Sequence, residues 1–312
     1  MTIERVSTNN QTQLLLNQIM QASNAVDTSE AQVASGNVSP TYAGIGDKTA
    51  VLEAARTASE RADAYQANTQ LAVTQADIQN TQLTSLSSLS EDLRTAISNA
   101  LANNDATGLM AQVTNIFDQA SQILNSKDSN GNYLYGGEND STPPVTVNSL
   151  AQLAATPIAN VFANGAQAKK VLVADGESVQ VGVLASSVGT QLMQALQDIA
   201  QFNAGASGNM QTNLTQAQAT FLTAELPTSI AANQALNTAT ASNGFVYNQL
   251  QDAVTQQQSL SGLYKGFVSD IQDVDMGKAI TNLNQNQVAL QAALQVTAQL
   301  NKVSLLNYLP TQ

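Results

Sequence analysis

The chain has 312 residues, 43% of them apolar but only 4% aromatic and 11% charged, and 11 Lys and Arg against 23 Asp and Glu give a formal net charge of -12. It has no Cys, His or Trp, which removes the thiolate and imidazole metal ligands, the triad base and the thiol nucleophile. Its cations are scattered singly apart from Lys169-Lys170, so no basic stripe is available to displace phosphate counterions or to hold an anionic membrane. We expect no nucleic acid, no membrane and no cofactor or metal, and no enzyme, since only unsupported carboxylates and lysines remain for catalysis.

From Met1 to Ser35 there is no Gly or Pro, and Leu15, Ile19, Ala22, Val26 and Val33 step by 4, 3, 4 and 7. A stripe this narrow, at a spacing near 3.5, is a coiled-coil seam rather than the wider face of a globular helix. The polar run Ser7 to Gln11 and the short cluster Leu14-Leu15-Leu16 do not make a cleavable secretory signal. The lack of Cys suits export of an unfolded chain, because no wrong disulfide can form.

Asp47 to Thr107 is again free of Gly and Pro, and a helix of that length is about 90 Å long. Its seam begins Val51, Ala55, Ala58, Ala62 and Tyr65, and the small side chains let neighbouring helices approach closely. After Asn103-Asn104-Asp105, the positions Leu109, Val113, Ile116, Phe117, Ala120 and Leu124 predict a second amphipathic helix. Beyond Asp128 come strand signals at Tyr133-Leu134-Tyr135 and Val145-Thr146-Val147, and a hairpin of Lys170 to Val173 and Ser178 to Val183 around Asp175-Gly176. Helices are expected to resume around Thr190 to Phe202 and Met210 to Leu226, with a break or kink at Pro227. A return helix from Ala231 to Val274 follows, weakened at Gly244, Gly262 and Gly266. From Lys278 to Leu309 no breaker occurs, and Ile280, Leu283, Leu290 and Leu294 step by 3, 7 and 4.

These elements predict a mainly α fold, a long antiparallel helical rod with coiled-coil pairing of its N- and C-terminal helices and a small β-containing insert domain. The expected organisation is a terminal assembly helix over 1–44, rod helices over 45–130 and an outer insert over 131–205, then return rod helices over 206–276 and a terminal assembly helix over 277–312. The insert is expected at the far tip. The candidate functional residues are the two seams, Leu15, Ile19, Ala22, Val26 and Val33 at one end and Ile280, Leu283, Leu290, Leu294, Leu300, Leu305, Leu306 and Leu309 at the other.

Other constellations have plainer readings. Asp128, Asn130 and Asn132 fit the first, third and fifth positions of a calcium loop, but Tyr133 stands where Gly is needed and Asn139 where Glu is needed. A helix-to-strand turn accounts for them. Gly44-Ile45-Gly46 lacks a preceding strand and the third Gly of a dinucleotide loop. Glu53, Glu60 and Asp63 near Arg56 and Arg61 read as helical ion pairs such as Glu53 with Arg56, and Lys169-Lys170 as a guard on a sheet edge or a contact for an acidic partner.

Four stretches carry a resemblance. Val6-Ser7-Thr8-Asn9 is similar to the opening of the flagellin superfamily, and Val33-Ala34-Ser35-Gly36-Asn37 falls where its first helix ends in a Ser-Gly or Thr-Gly turn. Asn130-Gly131-Asn132-Tyr133-Leu134-Tyr135-Gly136-Gly137 and the ending from Ala289 to Leu309 resemble the hook-associated protein 3 branch, the second protein of the hook-filament junction. Val38 to Asp47 departs from the superfamily's usual Arg-Ile-Asn and paired Asp.

The resemblance implies a structural subunit joining hook to filament, exported unfolded without a cleavable signal by the type III apparatus and located on the extracellular flagellum. The implied partners are further copies of itself in a ring or tube, other axial proteins (a hook-associated protein and flagellin) and an export chaperone. A filament flagellin, or a surface adhesin with a glycan-binding insert, are the alternative readings.

Overall fold

The computed structural model describes the backbone of residues 2–306 and the side chains of 10 and 12–299. The helices are α1 (Thr2–Ser35), α2 (Thr49–Asn103), α3 (Leu109–Leu124), α4 (Leu150–Ala155), α5 (Ala185–Ala204), α6 (Gln216–Gln272) and α7 (Met276–Leu306). The strands β1 (Lys169–Ala174) and β2 (Glu177–Val181) form an antiparallel two-stranded sheet. The mainly α class with long antiparallel helices and a small β insert is as expected. The chain divides into two compact units, one of residues 1–61 with 260–312 and one of residues 62–259.

In the unit of residues 62–259, α2 and α6 run antiparallel: Asn243 donates to the Ala76 carbonyl at 2.7 Å, Asn233 to the Ser87 carbonyl at 3.0 Å and Ser90 to the Ser229 carbonyl at 3.2 Å. Leu83, Leu86, Leu93 and Ile97 of α2 pack with Phe117 and Leu124 of α3, Leu192, Met193 and Leu196 of α5, and Leu222 and Leu236 of α6. This broad apolar core is the kind that stabilises a domain by itself.

The hairpin adds a second, smaller core. Val173, Val179 and Val181 pack with Ala72, Val73 and Ala76 of α2 and Leu250 and Val254 of α6. Its turn is Asp175-Gly176, with Gly176 at φ 74° supplying the left-handed conformation such tight turns require. The register shifts between Leu172 and Ala174, and the carbonyl of Val173 at that irregularity accepts from the buried Gln257 amide at 3.0 Å. Tyr65 donates to Asp175 at 2.7 Å. The hairpin therefore packs along α2 and α6.

Tyr133-Leu134-Tyr135 and Val145-Thr146-Val147 form no ladder. Tyr133 and Val145 make single bridges to Lys127 and Phe162, while Leu134, Tyr135, Val145 and Val147 are buried. Their apolar alternation serves burial, and side-chain amides replace the missing ladder partners: Asn125 exchanges two hydrogen bonds with Val145 at 2.8 and 3.0 Å, and Gln79 donates to the Leu134 carbonyl at 3.0 Å. α4 lies in this stretch, unforeseen, with Ser149 accepting from the Gln152 amide at 3.2 Å as its cap.

Two helix boundaries also differ from expectation. α6 starts at Gln216 rather than Met210, because Thr215 and Gln218 form a reciprocal capping box of 2.9 and 3.3 Å. It then continues through Pro227 without a break. Both Pro227 and Thr223, whose carbonyl loses its helical donor, lie toward solvent, while Leu222, Ser229, Ala232 and Leu236 hold the opposite face in the core. α5 begins at Ala185, ahead of Gly189, and a β-carbon at 189 would come within 2.9 Å of Leu124 and 3.1 Å of Phe162, so this glycine permits close packing inside the helix.

In the unit of residues 1–61 and 260–312, α1 ends at Gly36, whose φ of 72° closes the helix while its amide bonds the Gln32 carbonyl at 2.9 Å. A short bridge follows: Val38 donates to Gln272 at 2.7 Å and Val274 to Gly36 at 2.9 Å. Arg56 bonds Gln272, Glu53 and the Tyr42 hydroxyl.

Candidate assembly surface

α1 and α7 pack along one another. On α1, Leu15, Ala22 and Ser29 recur every seven residues, as do Ile19, Val26 and Val33 four positions on. Val26 and Ser29 are buried and the other four half-buried. On α7, Ala279, Asn286 and Ala293 are likewise seven apart, as are Leu283, Leu290 and Thr297. Ala279 is buried and the remaining five are half-buried. Two heptad positions on each helix thus form the seam.

All five predicted α1 residues lie in this seam. On α7 the structure brings Leu283 and Leu290 into it, whereas Ile280 and Leu294 stand one residue off the heptad and are exposed at 46% and 50%. The side chains of Leu300, Leu305 and Leu306, and all of Leu309, lie outside the described residues. The sequence reading missed Ser29 on α1 and Ala279, Asn286, Ala293 and Thr297 on α7 because, Ala22 apart, it followed larger apolar side chains. The seven-residue recurrence was the signal that would have found them.

Asn286 is the polar member of the α7 seam that bonds across to α1. Its amide nitrogen donates to the Ser29 hydroxyl at 2.9 Å and to the Ala25 carbonyl at 3.2 Å. Ser29 in turn donates to the Ala25 carbonyl at 2.9 Å. The other faces of the pair present Leu14, Leu16, Met20, Ile280, Val288, Leu294 and Val296 to solvent.

The other sequence candidates have structural occupations. Glu53 pairs with Arg56 at 3.2 Å in an exposed i,i+3 contact, and Asp140 with Lys169. Lys170 is exposed at the outset of β1. Asp128 accepts from the amides of Asn130 and Asn132 at 2.8 and 2.9 Å, closing the turn ahead of Tyr133. A surface hollow of about 560 Å³ between Ile158, Phe162, Asn164 and Ser186 contains no ionisable side chain. Two groups in the larger unit have shifted titration: burial pushes the Tyr135 hydroxyl well above the ordinary range, and desolvation, then the charge of Asp198, raises Glu225. Among the described residues no helix is long and apolar enough to cross a membrane.

Residues 228–309 match the bacterial flagellin C-terminal helical region. That segment takes in α6 from Thr228 onward and α7. The fold is similar to that of a putative flagellar hook-associated protein from Vibrio parahaemolyticus, with a TM-score of 0.59 and 16% identity over 72% of this chain and 97% of that one. It is also similar to FlgL of Bacillus cereus, with a TM-score of 0.53 and 14% identity over 70% of this chain and 98% of that one. No curated protein matches the chain. The flagellin-superfamily resemblance read from residues 289–309 agrees with the match over 228–309, and the fold agrees with that of the two flagellar structures.

Proposed function

We propose that this protein is a structural subunit of the bacterial flagellum that joins hook to filament. In this reading it is exported unfolded through the type III route and incorporated outside the cell through its terminal helices. Its partners are copies of itself, an adjoining hook-associated protein, flagellin and an export chaperone. The observation that carries the proposal is the α1–α7 pair, which closes only a narrow seam and leaves Leu14, Leu16, Met20, Val288 and Leu294 facing outward. Helices with so little private burial are marginal alone and gain stability when neighbours cover them. The fold shared with flagellar hook-associated proteins supports the junction role.

The flagellin C-terminal match supports a second reading, a filament subunit. The two differ in copy number and place. Immunogold labelling of intact flagella is expected to mark a single narrow zone where hook meets filament, and deletion is expected to leave hooks that shed flagellin. Label along the whole filament, with filaments lost for want of their subunit, would replace the junction reading with the filament one.

A further inference from the structure

We propose that the Asn286–Ser29 contact is the specificity element of the terminal helix pair, fixing the register in which α1 and α7 meet. The rest of the seam is poorly suited to that task. Leu, Ile, Val and Ala repeating every seven residues pack nearly as well after a slip of one heptad, because one methyl-bearing side chain replaces another. Asn286 is different. In the observed register its amide reaches both the buried Ser29 hydroxyl and the Ala25 carbonyl, and Ser29 is simultaneously donor to Ala25 and acceptor from Asn286.

A slip of one heptad toward the start of α1 sets Asn286 at the level of Ile19 and Ala22, and a slip the other way sets it beside Val33. Neither offers a seam hydroxyl, and in both Ser29 loses Asn286 as a donor and keeps only its own bond to the Ala25 carbonyl. Loss of the Asn286–Ser29 bond from this half-buried seam disfavours the slipped form on the order of tenfold. Within one chain the bridge at 36–38 and 272–274 also restrains the helices. When α1 of one copy meets α7 of another, that tether is missing and the seam alone must select its register.

The absence of Cys lets engineered pairs report register directly. The full-length chain with Ala22→Cys and Leu290→Cys traps the observed register on oxidation, and Ala22→Cys with Thr297→Cys traps a slip of one heptad, within a chain or between two. Oxidation captures whichever register the helices visit, so marginal pairing does not blunt the readout. With Asn286 and Ser29 present, the first pair is expected to cross-link at least tenfold more than the second. Asn286→Leu is expected to bring the two within about threefold, and the exchange of Asn286→Ser with Ser29→Asn to restore the preference.

Retention of the full preference in Asn286→Leu would overturn the proposal, as would failure of the exchange to restore it in a chain whose residues 62–259 remain folded. The readout does not require assembly, so its failure leaves the flagellar reading untouched.

Discussion

The two ends of α2 and α6 belong to units that are stabilised in different ways. Between residues 62 and 259, Leu83, Leu93, Ile97, Phe117, Leu124 and Leu196 are fully or almost fully buried in one continuous core. Among the described side chains of the α1–α7 pair only Val26, Ser29 and Ala279 are buried, and large apolar side chains remain outside. The first unit completes its own core and the second leaves burial unfinished.

The largest test of that contrast is a pair of substitutions. Leu93→Ala removes a fully buried side chain and is expected to cost about 2–5 kcal/mol, seen as a lower denaturation midpoint for residues 62–259. Ile19→Asp places a charge in the terminal seam. It is expected to leave that midpoint within about 0.5 kcal/mol of the parent while abolishing incorporation into flagella. If both lowered the same transition equally, the distinction between units would fail.

Gln257→Leu sharpens the account of the larger unit. It leaves the Val173 carbonyl without a donor and is expected to cost about 1–3 kcal/mol, with amide exchange in β1 and β2 accelerated first. Two glycines of that unit are expected to respond oppositely. Gly189→Ala forces a β-carbon against Leu124 and Phe162 and is expected to cost about 1–3 kcal/mol. Gly244→Ala meets nothing within 4 Å and is expected to stabilise α6 by about 0.5–1 kcal/mol. Thermal melts of the two variants read the difference.

The smallest effect concerns pH. Glu225 has its proton affinity raised in the folded state, chiefly by desolvation and then by Asp198. Its ionised form therefore opposes folding at neutral pH, and the penalty fades as pH falls through the raised value. Glu225→Gln is expected to raise the melting temperature at pH 7, with the gain shrinking toward zero below the ordinary carboxylate range. A gain that grows on acidification would contradict this assignment.

Much of this was legible in the sequence where periodicity and turn chemistry coincide. The long breaker-free stretches became α1 and α2, the Asp175-Gly176 turn became the hairpin, and Ser35-Gly36 closed α1. The segments at 133–135 and 145–147 misled because alternation reports burial, and here burial is achieved without a ladder. Pro227 misled because the cost of a lost helical bond depends on which face of the helix it opens, a tertiary fact. Within the seam, the Leu and Ile positions were legible, while Asn286 was hidden. Its polarity reads as solvent exposure until Ser29 is placed opposite it.

The partner dependence of the terminal pair is tested most directly by amide hydrogen exchange on the free chain and on assembled flagellar material. In the free chain, the amides of residues 12–35 and 276–299 are expected to exchange at least a hundredfold faster than those of α3 and α5, and to become comparably protected on assembly. Terminal amides as protected in the free chain as those of α3 and α5, with no gain on assembly, would show that α1 and α7 complete their own fold and would contradict the account.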